Sequence, residues 1–181
     1  MTMTLTLNQH ATGGRSIIPT LPPAIQGQLG LRDPRFRPLS TIQTVLRDLG
    51  EFDIDALHVR DLLEAGVLIG FNIAVHLNSK VEWRILTRSV HLFQSNAQGG
   101  KSCDARLRFD WAQIFRLICP HQKPIVTGLE IRRAMVCDKT HVQHLVDAGE
   151  LAALKKSQSG PGGSWTISRG SYEQFLKTRM L

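Results

Sequence analysis

Apolar residues along this chain recur in short bursts at helical spacing, and several bursts close on a glycine. Ile42, Val45, Leu46 and Leu49 share one face of a predicted helix that Ser40 or Thr41 can cap and Gly50 can stop. A second helix is predicted from about Asp55 to Ala65, ending at Gly66, where the backbone needs a left-handed residue. The period then changes: Val67–Leu77 and Val81–Leu86 read as strands around a hairpin tip at Asn78-Ser79, and Ser89 to Gln94 as a short helix. Phe109, Trp111, Ile114, Phe115 and Ile118 predict a helix from near Asp110, packed between two modules and broken by Pro120 and Pro124. Beyond it, Ile125-Val126 is a short strand and Thr127 caps a helix through Met135, with Glu130 at capping-box spacing. Val136-Cys137-Asp138 forms the turn, Asp138 caps the helix from Lys139 to Ala148, and Gly149 ends it. Leu151–Lys155 and Trp165–Ser168 are hairpin strands around a tip at Ser157–Ser164, and Ser171 to Thr178 closes the chain as a helix.

The same small unit is written twice. His58-Val59-Arg60-Asp61-Leu62-Leu63-Glu64-Ala65-Gly66-Val67-Leu68 returns as His141-Val142-Gln143-His144-Leu145-Val146-Asp147-Ala148-Gly149-Glu150-Leu151. A Trp-X-Ile triplet follows each, Trp83-Arg84-Ile85 and Trp165-Thr166-Ile167, and then a segment ending in Phe93 or Phe175. The offset is 83 residues at the helices and 82 at the tryptophans, so the intervening loops differ by one residue. Internal repetition constrains a fold more than any single motif does. The unit, a helix, a glycine stop, a hairpin and another helix, is laid out like a winged helix-turn-helix.

Four segments follow from this organisation: an arm at 1–38, a first and diverged unit at 39–96, a linker with connecting helix at 97–119, and a second unit at 120–181. The arm carries Gly13-Gly14, Pro19, Pro22-Pro23, Gly27, Gly30, Pro34 and Pro38 without periodicity, and reads as extended or disordered. Its Arg32, Arg35 and Arg37 suit either a solvated tail or a DNA-touching arm. The linker is best placed at Ala97 to Asp104, around Gly99-Gly100.

Net charge is +7, which favours a polyanionic partner. The distribution matters more than the total: +3 over 1–39, −2 over 40–96, +2 over 97–119 and +4 over 120–181. The second unit is therefore the one suited to grip a phosphate backbone. The 42% hydrophobic content supports a core, and 6% aromatic residues make it mainly aliphatic. Stretches of about 20 apolar residues, as a membrane span needs, are not present in the sequence. The N-terminus does not read as a secretory signal, and three cysteines cannot all pair within one chain, so a reducing cytoplasm is expected.

Residues 125–178 resemble the excisionase-type winged helix-turn-helix, a relative of the MerR DNA-binding module. The matching stretches are Ile125-Val126-Thr127-Gly128-Leu129-Glu130-Ile131, Thr140 to Leu151, Trp165-Thr166-Ile167-Ser168-Arg169 and Tyr172-Glu173-Gln174-Phe175-Leu176. The tip between the hairpin strands is longer and richer in glycine than that pattern's short turn. Residues 40–95 match through Asp61–Leu68 and Trp83–Phe93, while Leu49-Gly50-Glu51-Phe52-Asp53 departs from it. The resemblance implies a mainly α fold with small β-hairpin wings, α+β in class, repeated in tandem. It implies sequence-specific double-stranded DNA binding without catalysis, as a transcription regulator or recombination directionality factor in the nucleoid, with bending of DNA across two modules as an option.

Helical spacing assigns the faces of the second unit's second helix. Val142, Leu145 and Val146 face the core, and Lys139, Thr140, Gln143 and His144 project outward. Gln143 can bond adenine bidentately, while Lys139, Thr140 and His144 offer phosphate or base-edge contacts. Arg132, Arg133, Lys155 and Lys156 would lie along phosphates. In the first unit the equivalent outward positions hold Ala56, Leu57, Arg60 and Asp61, poor material for phosphates. That unit either touches DNA weakly through Arg60, Lys80 and Arg84, or docks a recombinase, polymerase or other protein as an adaptor.

Other chemistry is thinner. Trp83 and Trp165 occupy equivalent strand positions, which suits a core role better than base stacking. Cys119, His121, Cys137 and His141 invite a zinc reading, but Cys119-Pro120-His121 is too tight for a usual finger and His141 belongs to a helix, so neither metal nor cofactor is expected. Gly160-Pro161-Gly162-Gly163 lacks the Lys-Ser/Thr ending of a phosphate-cradling loop. Asp53 and Asp55 are explained by helix capping, and nothing assembles into a catalytic site.

Overall fold

The computed structural model describes residues 37–76, 80–98, 109–156 and 165–181. The class is α+β: among these residues lie seven α-helices and two small antiparallel sheets of three strands each. The first copy runs β1 (Leu39–Thr41), α1 (Ile42–Asp48), a 3-10 turn (Gly50–Phe52), α2 (Ala56–Glu64), β2 (Gly70–Asn72), β3 (Trp83–Leu86) and α3 (Thr87–Gln98). After α4 (Trp111–Ile118), the second copy runs β4 (Ile125–Thr127), α5 (Gly128–Met135), α6 (Lys139–Asp147), β5 (Ala153–Lys156), β6 (Trp165–Ser168) and α7 (Arg169–Thr178). The sheets share one order, β1-β3-β2 and β4-β6-β5, with the strand from the Trp-X-Ile triplet in the centre.

Identical local chemistry produces the copies. The Thr41 hydroxyl accepts from the Thr44 amide and the Thr127 hydroxyl from the Glu130 amide, starting α1 and α5. Asp55 and Asp138 cap α2 and α6 by accepting from the His58 and His141 amides at 2.8 and 2.7 Å. Gly66 and Gly149, with φ of 76° and 74°, end those helices where a side chain would be strained. Asp53 and Val136 take the other left-handed positions, with φ of 52° and 51°. From helix cap to left-handed residue the first copy uses 12 steps (41 to 53) and the second 9 (127 to 136). The three extra residues form the Gly50–Phe52 turn, which the second copy lacks. Gly50 is therefore not the expected stop, since Leu49 ends α1 and Asp53 makes the left-handed bend. The hairpins differ too: β5 pairs through a register shift between Ala153 and Lys155, absent from β2.

Other boundaries move. The strands are shorter than expected, at Gly70–Asn72 and Ala153–Lys156, and α3 is longer than the expected Ser89–Gln94. Trp83 and Trp165 are half-buried and pack against the cores, consistent with the structural role. The helix at Asp110 forms with a capping box to Gln113. Its Trp111 Nε1 donates to Glu173 Oε1 at 2.9 Å and its Phe115 ring lies against Tyr172 and Arg169, so these contacts anchor it to α7 of the second copy. Most of the arm at 1–38, the tip at Asn78-Ser79, most of the linker at Ala97 to Asp104 and the tip at Ser157–Ser164 lie outside the described residues.

The two sheets are buried differently. Ile85 on β3 faces a smaller core with Val45, Leu49, Val59, Leu63, Leu68 and Val90. Leu39, Phe71 and Leu86 join a larger core with Val126, Ile131, Met135, Ile167 and Tyr172. The first copy's sheet is thus covered on both faces, on one side by its own helices and on the other by the second copy, with α5 against β1. At the repeat-related positions the second sheet leaves Ile125 40% and Leu154 62% exposed. The chain end also reaches back: Met180 bridges Phe71, and the Leu181 amide donates to the Gly70 carbonyl at 2.9 Å.

Candidate nucleic-acid interface

Asp138 fixes the first turn of α6, and burial of Val142 and Leu145 sets which side turns outward. Lys139, Thr140, His144 and Asp147 are exposed on that side, and Arg133 is exposed on α5. Four of the expected residues, Lys139, Thr140, His144 and Arg133, are therefore open to a ligand. The amides at the start of α6 add the positive end of its dipole.

Gln143 behaves otherwise. It is half-buried, its Nε2 donates to Asp147 Oδ1 at 2.6 Å, and its Oε1 accepts from Trp165 Nε1 at 2.9 Å. Both ends of the amide are used within the copy, where the sequence alone has Gln143 project outward to read a base. It joins α6 to β6 instead. Arg132 is half-buried with Nε shielded from solvent, unlike Arg133. Lys155 and Lys156 belong to β5, and their side chains lie outside the described residues.

The first copy presents Ala56, Arg60, Asp61 and a 64% exposed Leu57 on α2. Arg60 is committed to Glu64 at 2.8 Å, and Lys80 is exposed beside the hairpin. Arg84 overturns its expected role. It is only 7% exposed, and its Nε donates to the Met135 carbonyl at 2.6 Å. Its Nη2 donates to Glu82 Oε1 at 2.6 Å and to the Val136 carbonyl at 3.1 Å. A guanidinium spent on these carbonyls cannot reach a phosphate. The sequence carried a signal for this: Arg84 interrupts the otherwise apolar run Trp83, Ile85, Leu86, where the repeat has Thr166.

The residues around this contact were also missed. Glu82 Oε2 lies 3.7 Å from His141 Nδ1, and His141 Nε2 donates to the Ile73 carbonyl at 2.8 Å. Arg179, 5% exposed, donates to the Ala74 carbonyl at 3.0 Å and lies 2.8 Å from Glu150 Oε1.

The zinc constellation does not assemble. His121 pairs with Glu130 at 2.9 Å, His141 is held between the copies, and no group of three or more potential ligands is placed to hold a metal among the described residues. Burial pushes the Cys137 thiol up to about 11 despite nearby Arg84, and also raises Cys119. No described helix is long and apolar enough to cross a membrane. Comparison with known protein families, with curated proteins and with solved structures found no match.

Proposed function

We propose that this protein is a tandem winged helix-turn-helix that binds double-stranded DNA in a sequence-specific, non-catalytic manner, through the second copy above all. The observation that carries the reading is the outward face of α6, where Lys139, Thr140 and His144 are exposed at the start of a capped helix that follows a tight turn. A helix of this kind inserts its N-terminal residues into the major groove. Arg133 and the +4 charge of 120–181 supply phosphate attraction. The natural role is a transcription regulator or an excisionase-like directionality factor.

Fluorescence anisotropy of the full chain on DNA chosen by unbiased selection tests this. With about four phosphates neutralised, log K falls with log salt at a slope near −3 to −4. Binding that ignores both salt and sequence rejects the proposal. A second reading, a protein-docking adaptor, is favoured by Leu57, 64% exposed beside acidic Asp61. Partner binding through that apolar position would change little with salt.

A further inference from the structure

The first copy has few groups suited to phosphate, yet among its contacts with the second copy is one at the turn between α5 and α6. Met135 and Val136 end α5 and begin the turn into α6. Carbonyls at a helix C-terminus lack helical partners and concentrate negative charge. Arg84 reaches across from β3 and donates to both of them, at 2.6 and 3.1 Å. On the far side of the same turn, His141 in the first turn of α6 donates to the Ile73 carbonyl at 2.8 Å. Glu82 lies between them, bonded to Arg84 at 2.6 Å and 3.7 Å from His141. One group from the first copy therefore grips the end of α5, and another grips the start of α6. The turn joining these helices decides the angle at which α6 stands out from the protein.

Repeat-related residues show that this arrangement is specific to one copy. The counterpart of Arg84 is Thr166, and the counterpart of His141 is His58, which is exposed and bonded to its own cap Asp55 at 2.9 Å. The first copy's turn is built differently as well, with the added 3-10 segment Gly50–Phe52. Divergent use of equivalent positions separates the copies into one that is braced and one that braces.

We propose that Arg84 is a positioning residue through which the first copy braces the helix-turn-helix turn of the second and sets the angle of α6 on DNA, without itself touching DNA. This rests on the reading of α6 as the recognition helix. A brace of this kind acts on the fit of α6 to base edges and leaves general attraction to phosphate intact, because Lys139, Arg133 and the helix terminus keep their charge.

The test compares full-length wild type with Arg84→Met, Arg84→Lys and Glu82→Gln on a selected DNA site and on unrelated DNA over a salt series, with amide hydrogen exchange on each free protein. For Arg84→Met the expected result is at least a ten-fold loss on the selected site, with affinity for unrelated DNA within two-fold and the salt slope unchanged. Arg84→Lys, which restores one charged donor, recovers part of the loss, and Glu82→Gln shows a smaller loss of the same kind. Exchange in Arg84→Met speeds up at Val136 to Thr140 and stays unchanged in α7. Equal loss on both DNAs with a shallower slope would make Arg84 a phosphate contact and overturn the proposal. Unchanged specificity in a folded Arg84→Met would overturn it too. If Arg84→Met does not fold, Arg84→Lys and Glu82→Gln carry the same comparison. Should the wild type bind no DNA, the DNA-binding function falls, and exchange at Val136 to Thr140 still reads whether Arg84 holds the turn.

Discussion

At the scale of single residues, caps and buried thiols set how stability answers pH. Thr127 and Glu130 form a reciprocal cap: the Glu130 carboxylate accepts from the Thr127 amide at 2.7 Å and from its hydroxyl at 2.8 Å. Burial pushes the Glu130 carboxyl up, but these bonds and His121 outweigh it and hold it below its ordinary value. Its contribution is therefore complete above the ordinary glutamate value of about 4.3 and is lost as pH falls through the lowered one. Thr127→Ala is expected to cost about 1 kcal/mol at pH 7 in urea unfolding, and Glu130→Gln to flatten the acid limb. Cys137 works in the opposite direction. Its thiol is raised to about 11, so its contribution is intact below the ordinary thiol value of about 8.5 and fades as pH climbs towards 11. Iodoacetamide at pH 8 should label Cys137 far more slowly in the folded chain than in urea, and Cys137→Ala should soften the alkaline limb. The caps could be read from the sequence because a cap needs only a residue type at a fixed spacing. The thiol shift could not, since burial is a property of the packed whole.

Among the elements, α6 on the proposed reading divides its outward residues between two duties. Gln143 links Trp165 and Asp147, so Gln143→Ala should cost about 1–2 kcal/mol of stability and leave the pattern of preferred bases unchanged. Thr140→Ala and His144→Ala should relax preference at one or two base pairs, by about 1–3 kcal/mol on the best site. Lys139→Ala should weaken all sequences alike. A selection profile for each variant separates these outcomes, and a profile altered by Gln143→Ala alone would restore the simpler assignment. Periodicity placed Gln143 on the outward side of α6, which it does occupy. What periodicity cannot see is a tryptophan 22 residues away whose indole N–H needs an acceptor. The hairpins were blurred for a related reason. Val67, Leu68 and Ile69 look strand-like, but after Gly66 the Leu68 amide returns to the Leu62 carbonyl, and bonding to β3 starts only at the Ile69 carbonyl.

For the whole molecule, the repeat was legible and the embrace of its copies was not. Both copies show the same caps, so one-dimensional spacing sufficed to find them. The hint of their contact lay in a comparison of faces: Leu39 and Leu86 in the first sheet stand where the second has Ile125 and Ser168. A strand apolar on both sides is covered on both sides. Because the larger core takes residues from both copies, the full chain should unfold in one cooperative transition, with tryptophan fluorescence and far-ultraviolet dichroism coincident. Arg179→Ala removes the partner of Glu150 and the donor to Ala74, and should destabilise by about 1–3 kcal/mol. Two separated transitions in the wild type would mean that the shared core does not couple the copies.

Val136 gives that coupling a further meaning. A β-branched residue with φ of 51° holds about 1–2 kcal/mol of conformational strain, where the first copy uses the more tolerant Asp53. The Val136 carbonyl is also one of the two in the second copy that Arg84 holds. The turn thus resembles a bent spring kept under load by a latch on the neighbouring copy, and latch and spring need not be independent. With Arg84 present, Val136→Gly releases the full strain; with Arg84→Met, the valine turn has already relaxed, and glycine has less to release. In a double-mutant cycle the benefit of Val136→Gly should therefore shrink by at least about 0.5 kcal/mol in the Arg84→Met background. Equal benefit in both backgrounds would mean that the turn takes its shape from its own sequence, and that the latch merely rests upon it.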